Sequence, residues 1–175
     1  MSQAIRIHQT GGPSVMQLDS VRPEEPGAGQ VRIRHEAIGV NYINTYHRSG
    51  LYPVPLPSGI GLEAAGHVDA IGDGVTQFAI GDRVAYGNGP IGAYAEFNTV
   101  AAGRLARIPD AVSLEQAAAI MLKGMTARYL LKETYPVKAG DTVLYHAAAG
   151  GVGLLMCQWA RDLGVTLIGT ASTSE

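Results

Sequence analysis

The chain has 175 residues, a formal net charge of −2, 46% hydrophobic residues and 16% charged residues. This balance gives no electrostatic case for binding nucleic acids or an anionic membrane surface, and the length suffices for one ordinary domain or two small ones. The only cysteine, Cys157, rules out a disulfide framework and a cysteine-based zinc cluster, and it favours a reducing, cytoplasmic setting. Residues 142–160 carry no formal charge, but their glycines argue against a membrane-spanning helix.

Short alternating segments separated by turn residues occupy the first half of the chain. Residues 30–38 have the clearest pattern, with apolar side chains on one face and Arg32 and Arg34 on the other. A polar, aromatic segment over 41–50 predicts a helix, and the prolines of 51–57 exclude regular structure there. Turn signals every ten or so residues predict a small barrel or sandwich. Its strands are predicted within residues 4–8, 15–18, 30–38, 64–71, 78–86 and 92–100.

Helical patterns follow the strand-rich half. Ser113 and Gln116 have the spacing of a capping box, in which each side chain bonds the backbone N–H of the other residue. An alanine-rich helix is predicted from there to about Leu122. We expect Gly124 to separate it from a second helical stretch over 126–133. This change of pattern predicts a domain boundary.

Residues 142–170 are typical of a strand, a glycine turn, a helix and a second strand, which together make a βαβ unit. The turn has the form A-x-G-x-x-G, with Ala148 in place of the first glycine of the dinucleotide fingerprint. Gly150 lets backbone approach a pyrophosphate, Gly153 lets the helix pack on the strand, and the helix N-terminus offers N–H groups to phosphates. Gly164 suits a helix end. The unit predicts a dinucleotide site, with a glycine-rich turn of another α/β domain as the alternative.

Taken in order, these segments resemble the zinc-free NADPH:quinone oxidoreductases related to zeta-crystallin, within the medium-chain dehydrogenase/reductase superfamily. The resemblance implies a fold of the α/β and β classes: a GroES-like β-rich catalytic domain over 1–120, then the first βαβ of a Rossmann domain over 121–175. It also implies a homodimer. We expect the chain to be truncated and inactive alone, because the family has further Rossmann strands and a C-terminal return segment. The matching motifs are HQTGGP (8–13), AIGVNYINTYHRSGLY (37–52), PSGIGLEAAG (57–66), GDRV (81–84), EQAAA (115–119), KGMT (123–126) and HAAAGGVG (146–153).

The resemblance also bears on metal binding. Zinc-bearing relatives place Cys at the position of Asn41 and His at the position of Leu62. Here these residues offer a neutral amide and an aliphatic chain, whereas zinc needs three or four N, S or O ligands. His67 is expected to be packed or at the surface, and His47 is expected on a solvated helix face. We therefore predict no metal.

The resemblance places the substrate and the nicotinamide beside residues 41–46. Asn41 is expected to hydrogen-bond the substrate oxygen, and Tyr46 is expected to stack on the substrate or donate a proton. Tyr52 is expected to line the same cleft. These are the three predicted catalytic residues, and ordinary amphipathic packing is the alternative for the tyrosines.

The cofactor is expected to be NADPH. An NAD site places Asp or Glu about 20 residues beyond the glycines, to hold the ribose diol. Here the hydroxyls of residues 172–174 can donate to a 2′-phosphate, while Glu175 would repel it if it pointed inward. Thr126 is alternatively an ordinary helix N-cap. The predicted cofactor-binding residues are Asn41, Tyr42, Ile43, Asn44, Thr45, Tyr46, Lys123, Thr126, Tyr129, Gly150, Gly151, Val152, Gly153, Ser172, Thr173, Ser174 and Glu175.

The predicted activity is direct hydride transfer from the nicotinamide to a small quinone. Alcohol oxidation fits poorly without a metal, whereas a quinone accepts hydride readily because the resulting charge is delocalised into an aromatic ring. One alternative is a zinc-free enone or enoyl-thioester reductase of the same superfamily. A second alternative is a non-catalytic protein that binds NADPH or has a structural role.

Overall fold

A computed structural model describes residues 1–172, so the predictions for Thr173, Ser174 and Glu175 lie outside the described residues. The chain divides into two compact units, Met1–Met121 and a second one that begins at Leu122. We refer to them as the N-terminal unit and the C-terminal unit.

The N-terminal unit is rich in β-structure, as predicted. Its strands form two sheets, one with the order β2-β1-β4 and the other with the order β7-β3-β5-β6-β8. All of the paired strands in these sheets are antiparallel. The strands are β1 (Ser2–Ile7), β2 (Met16–Val21), β3 (Gln30–Ile38), β4 (Ser58–Gly59), β5 (Ala64–Ile71), β6 (Arg83–Tyr86), β7 (Phe97–Ala101) and β8 (Ala106–Arg107).

The alternation in β3 determines which face of the larger sheet is buried. Val31 and Ile33 have no exposed surface, whereas Arg34 on the opposite face is exposed. Arg32, also on that face, donates from Nε to Asp69 of β5 at 2.6 Å. Burying the apolar face stabilises the sheet by about 25 cal/mol per Å² removed from water. The core cluster consists of Val31, Ile33, Ala64, Val68, Val84, Tyr86, Ala93, Val100 and Ala102.

Helix α1 (Ile43–Ser49) follows β3 and ends at Gly50, whose φ of 85° lies in the left-handed region. Residues 51–57 form neither helix nor strand, as predicted. The prediction that His47 lies on a solvated helix face is wrong, because only 7% of its surface is exposed. Tyr52, from the segment after the helix, lies with its ring centroid 6.2 Å from that of His47.

Helix α2 (Leu114–Tyr129) begins at the predicted capping box. The Gln116 N–H donates to Ser113 Oγ at 3.2 Å, and the Ser113 N–H donates to Gln116 Oε1 at 2.9 Å. The predicted break at Gly124 is wrong, because the helix runs through it and continues as a π-helical turn (Leu130–Thr134). One interior glycine costs a helix only about 1 kcal/mol relative to alanine, which the neighbouring helix-forming residues can offset.

The C-terminal unit contains the predicted βαβ. Strands β9 (Thr142–Tyr145) and β10 (Thr166–Gly169) pair in parallel, and α3 (Gly151–Asp162) lies between them in the chain. Gly164 follows α3 with a φ of 69°. Within residues 1–172, no helix combines the length and the apolar character needed to cross a bilayer. The buried cluster of Ala127, Leu131 and Met156 is flanked by half-buried residues that include Trp159, Leu163 and Leu167.

Candidate active site

Hydrogen bonds join side chains near the start of α1 to a buried carboxylate. Asn41 Nδ2 donates to Glu63 Oε2 at 2.6 Å, and the Asn41 backbone N–H donates to Asn44 Oδ1 at 2.9 Å. The Tyr94 hydroxyl donates to the same oxygen of Asn44 at 3.2 Å. We call Asn41, Asn44, Glu63 and Tyr94 the Asn41 cluster.

Strand pairing brings the two ends of the Asn41–Glu63 hydrogen bond together. Ile38, at the end of β3, is paired with Ala64, at the start of β5. The backbone N–H of Gly39 then donates to the carbonyl oxygen of Glu63 at 3.0 Å. A Cβ at position 39 would overlap the Glu63 carboxylate, so glycine makes room for a side chain that has no exposed surface.

Two polar atoms of α1 are buried without a hydrogen-bond partner among residues 1–172: Asn44 Nδ2 and His47 Nδ1. Because both groups bonded to Asn44 Oδ1 are donors, the orientation of that amide is fixed and Nδ2 faces the other way. Burial lowers the pKa of His47 by disfavouring its charged form. Burial also raises the pKa of Tyr94, and Arg48 partly opposes that shift.

Three tyrosines form a partly exposed aromatic surface beside the cluster. The ring centroids of Tyr42 and Tyr46 are 5.4 Å apart in an edge-to-face arrangement, and those of Tyr46 and Tyr52 are 5.1 Å apart. Tyr42 is 76% exposed and Tyr52 is 47% exposed, whereas Tyr46 is half-buried. Ile43 is half-buried, and the Thr45 hydroxyl donates to the Tyr42 carbonyl at 2.7 Å. Of the three predicted catalytic residues, Asn41, Tyr46 and Tyr52, the structure therefore brings the two tyrosines into contact.

The donor set at the position of the relatives' zinc does not fit a zinc ion. Asn41 turns an amide N–H toward Glu63, and Leu62 is an aliphatic residue with 5% of its surface exposed. His67 Nδ1 donates to Glu36 at 3.0 Å. Within residues 1–172, no group of three His, Cys, Asp or Glu side chains has a metal-binding arrangement.

The glycine turn (residues 147–153) presents backbone rather than side chains. Gly150 is the N-cap of α3 and provides no side-chain cap to the N–H groups of the first turn, at Gly151, Val152 and Gly153. The Gly153 Cα lies close to the turn, because a Cβ there would stand 2.6 Å from the carbonyl oxygen of Ala147. Ala147 itself has a φ of 59°. An uncapped helix start of this kind fits the pyrophosphate of a dinucleotide.

The end of β10 is tied to this turn. The Ala148 N–H donates to the carbonyl oxygen of Thr170 at 2.9 Å, and His146 Nδ1 shares a hydrogen bond of 3.0 Å with Thr170 Oγ1. Ser172, two residues further on, is exposed. The segment just before the residues predicted to bind the 2′-phosphate is thus hydrogen-bonded to the turn that was predicted to bind the pyrophosphate.

The three predicted cofactor residues of α2 differ in their surroundings. A Cβ at Gly151 would lie 2.9 Å from Cδ of Lys123, so the lysine side chain passes beside the start of α3. Thr126 donates its hydroxyl to the Leu122 carbonyl at 2.8 Å inside the helix, so the alternative of an N-cap is wrong. Tyr129 is 46% exposed.

Sequence reasoning missed three members of this site, Glu63, Tyr94 and Gly39. Glu63 bonds Asn41 across 22 residues of sequence. Tyr94 bonds Asn44 across 50 residues of sequence, and no local pattern carries such a pairing. Gly39 was passed over although it directly follows β3. Its signal was available: a glycine at the end of a strand often marks a close approach of another group.

Residues 27–110 match the family described as the alcohol dehydrogenase GroES-like domain. The chain is similar to the medium-chain dehydrogenase/reductase superfamily, and its fold is the predicted GroES-like domain followed by the first βαβ of a Rossmann domain.

Its similarity within this superfamily is to quinone oxidoreductases. The quinone oxidoreductase of Pseudomonas aeruginosa is 55% identical over 176 residues, which cover 100% of this chain and 54% of the relative. The structure of Escherichia coli quinone oxidoreductase complexed with NADPH matches with a TM-score of 0.95 at 49% identity, over 98% of this chain and 53% of the other. A 2-haloacrylate reductase from a Burkholderia species is 48% identical over 182 residues, covering 100% of this chain and 54% of the relative. The chain thus spans about half the length of these relatives.

Proposed function

We propose that this chain carries the substrate side and the first cofactor-binding elements of an NADPH-dependent quinone reductase that works without a metal ion. The observation that carries the proposal is 55% identity with a quinone oxidoreductase along the whole chain. The similar Escherichia coli structure complexed with NADPH supports the choice of cofactor.

Bound NADPH would supply the hydride, and the protein would supply position. The backbone N–H groups at residues 151–153 would hold the pyrophosphate, with Lys123 beside them. Asn41 would donate an N–H to an acceptor oxygen, and Tyr46 and Tyr52 would pack against an aromatic ring or donate a proton. The amide at Asn41 and the aliphatic Leu62 support a reaction without zinc.

The test is NADPH oxidation by the purified full-length protein that contains this chain, monitored through the loss of nicotinamide absorbance with benzoquinone as acceptor. We expect turnover that survives extensive dialysis against a strong chelator. Loss of activity on dialysis, with recovery on adding zinc, would contradict the metal-free mechanism. Tight NADPH binding without turnover of any acceptor would support the non-catalytic alternative.

A second candidate is the reduction of conjugated acceptors other than quinones. The 48% identity with a 2-haloacrylate reductase favours this candidate, because 2-haloacrylate is a conjugated acceptor. Enones and enoyl thioesters share that chemistry. Comparing kcat/KM for benzoquinone, cyclohexenone and 2-chloroacrylate in one assay separates the two candidates, since the preferred class should exceed the others by at least about tenfold.

The same proposal includes a homodimer in the cytoplasm. Both rest on the family resemblance, and the use of a single cysteine supports a reducing compartment. Light scattering of the purified protein at several concentrations tests the dimer.

A further inference from the structure

We propose that Glu63 is a positioning residue, which fixes the direction of the Asn41 carboxamide so that the substrate meets a defined donor and acceptor. This inference rests on the proposed function, because it assigns Asn41 a role in hydride transfer. It concerns a residue that touches neither of the reacting molecules and acts through Asn41.

The first observation is the short hydrogen bond from Asn41 Nδ2 to Glu63 Oε2, at 2.6 Å. Glu63 has no exposed surface, so water does not compete for this oxygen. An N–H···O distance of 2.6 Å is shorter than the usual range of about 2.7 to 3.2 Å. The contact is therefore strong enough to hold a small side chain in one orientation.

The second observation is chemical. A carboxylate only accepts hydrogen bonds, whereas a carboxamide has a donating end and an accepting end. Glu63 therefore selects the orientation of Asn41 in which the NH₂ group faces the carboxylate. That orientation leaves Oδ1 and the second N–H of Asn41 in fixed places, and Asn41 is half-buried rather than enclosed.

The third observation is that the backbone at Asn41 is also held. Its N–H donates to Asn44 Oδ1, whose direction the Tyr94 hydroxyl reinforces. With the main chain held, the freedom that remains at position 41 is rotation about the two side-chain bonds, and the hydrogen bond to Glu63 restricts it. A site of this kind keeps a reacting group aligned without reorganisation during the reaction.

The test is a double-mutant cycle on kcat, with Glu63→Gln, Asn41→Ala and the pair of substitutions combined. Glutamine keeps the size of the side chain but can both donate and accept hydrogen bonds. The Asn41 carboxamide can then also bind in the flipped orientation, with its oxygen toward residue 63. We expect Glu63→Gln to lower kcat about tenfold, with KM for NADPH changed less than about twofold. In the Asn41→Ala background the same substitution should have no further effect, because its target is gone. An equal loss in both backgrounds overturns the proposal.

Glu96→Gln is the matched control. Glu96 is an exposed carboxylate of the same unit that accepts one backbone N–H, from Gln3 at 2.9 Å, and its substitution should leave kcat unchanged. Where Glu63→Gln fails to fold in a thermal melt, Glu63→Asp replaces it. Aspartate still only accepts but is one methylene shorter, so the Asn41-dependent loss should remain.

A second readout does not require turnover. In asparagine-labelled protein, one of the two N–H protons of the Asn41 side chain should be protected from exchange with solvent by its bond to Glu63. Glu63→Gln should remove that protection, and unchanged protection overturns the proposal. If the wild-type protein fails to oxidise NADPH with every acceptor tried, the proposed function is overturned instead. The NMR exchange measurement then decides separately whether Glu63 orients Asn41.

Discussion

The Asn41 cluster and the glycine turn position small groups in opposite ways. In the cluster, buried and half-buried polar groups hold one another through hydrogen bonds of 2.6 to 3.2 Å. In the turn, the glycines and alanines have no polar side chains that could bind a ligand. The N–H groups of the turn are positioned instead by the backbone, which packs closely at Gly153. The cluster is specified by which chemical groups are present, and the turn by which are missing.

This difference predicts different responses to substitution. An added carbon atom should damage the turn through steric overlap, and the effect should appear in cofactor binding. A removed polar atom should damage the cluster through a lost partner, and the effect should appear in turnover or in stability. Four substitutions test the contrast, from the largest expected effect to the smallest.

Gly153→Val should have the largest effect. Its Cβ would collide with the carbonyl oxygens of Ala147 and Ala148, so α3 would have to move away from the turn. We expect a loss of at least about 3 kcal/mol in stability and NADPH affinity about a hundredfold weaker. Calorimetry and cofactor titration measure both. Gly124→Ala is the control, since a Cβ there meets nothing within 4 Å. Unchanged NADPH affinity in Gly153→Val would contradict the proposal that the glycine turn is sensitive to added atoms.

Gly39→Ala tests whether the Asn41 cluster also depends on the absence of a side chain at position 39. The new Cβ would overlap the Glu63 carboxylate and the carbonyl oxygen of Ala118. We expect a loss of about 2 to 3 kcal/mol in urea unfolding, because neither group has room to withdraw. Gly12→Ala, at an open position, should stay within about 0.5 kcal/mol of the wild type. Equal stability of the two variants would contradict the close approach.

Asn44→Ala removes the acceptor shared by the Asn41 N–H and the Tyr94 hydroxyl. Leaving these donors without a partner should cost about 2 kcal/mol. Tyr94→Phe removes only one donor and should cost about 1 kcal/mol. Chemical unfolding compares the two, and a larger loss for Tyr94→Phe would mean that its hydroxyl has a more important partner than Asn44.

His47→Leu should have the smallest effect, and it should depend on pH. Burial lowers the pKa of His47 below its ordinary value of 6.5, so in the window just beneath that pH the unfolded chain binds a proton that the folded chain does not. Stability from the neutral ring is therefore complete above about pH 6.5 and is lost as the pH falls through this window.

Leucine has no such dependence, so the pH slope of the melting temperature in this window should become shallower. Near neutral pH the change should stay within about 1 kcal/mol, because the replaced Nδ1 has no hydrogen-bond partner to lose among residues 1–172. His35, whose pKa burial also lowers, should retain part of the slope. An unchanged slope in His47→Leu would contradict the assignment.

Local patterns were sufficient for much of the fold. The alternation over residues 30–38 predicted β3, and the capping box at Ser113 predicted the start of α2, because each signal depends on neighbouring residues only. The break predicted at Gly124 failed for the opposite reason. Helix continuity depends on the summed propensity of the whole segment, and one glycine did not outweigh it.

The candidate site was only partly predictable. Asn41 and the glycine turn were found through motifs, but the partner of Asn41 was not, since Glu63 lies 22 residues away. His47 looked solvated because its neighbour Arg48 is charged, but it is buried in the fold and the ring of Tyr52 lies beside it. Contacts between distant segments are set by the tertiary fold, and periodicity does not report them.

Trp159 places the tryptophan fluorescence of the protein in the C-terminal unit. It is the only tryptophan of the chain, and it packs beside the buried cluster of the C-terminal unit. Indole emission should therefore follow the melting of the βαβ alone, while the circular dichroism of the strands follows mainly the N-terminal unit. Two melting curves that fail to coincide would show the units unfolding separately. Reduced nicotinamide absorbs where indole emits, so the same residue can also report cofactor binding through energy transfer.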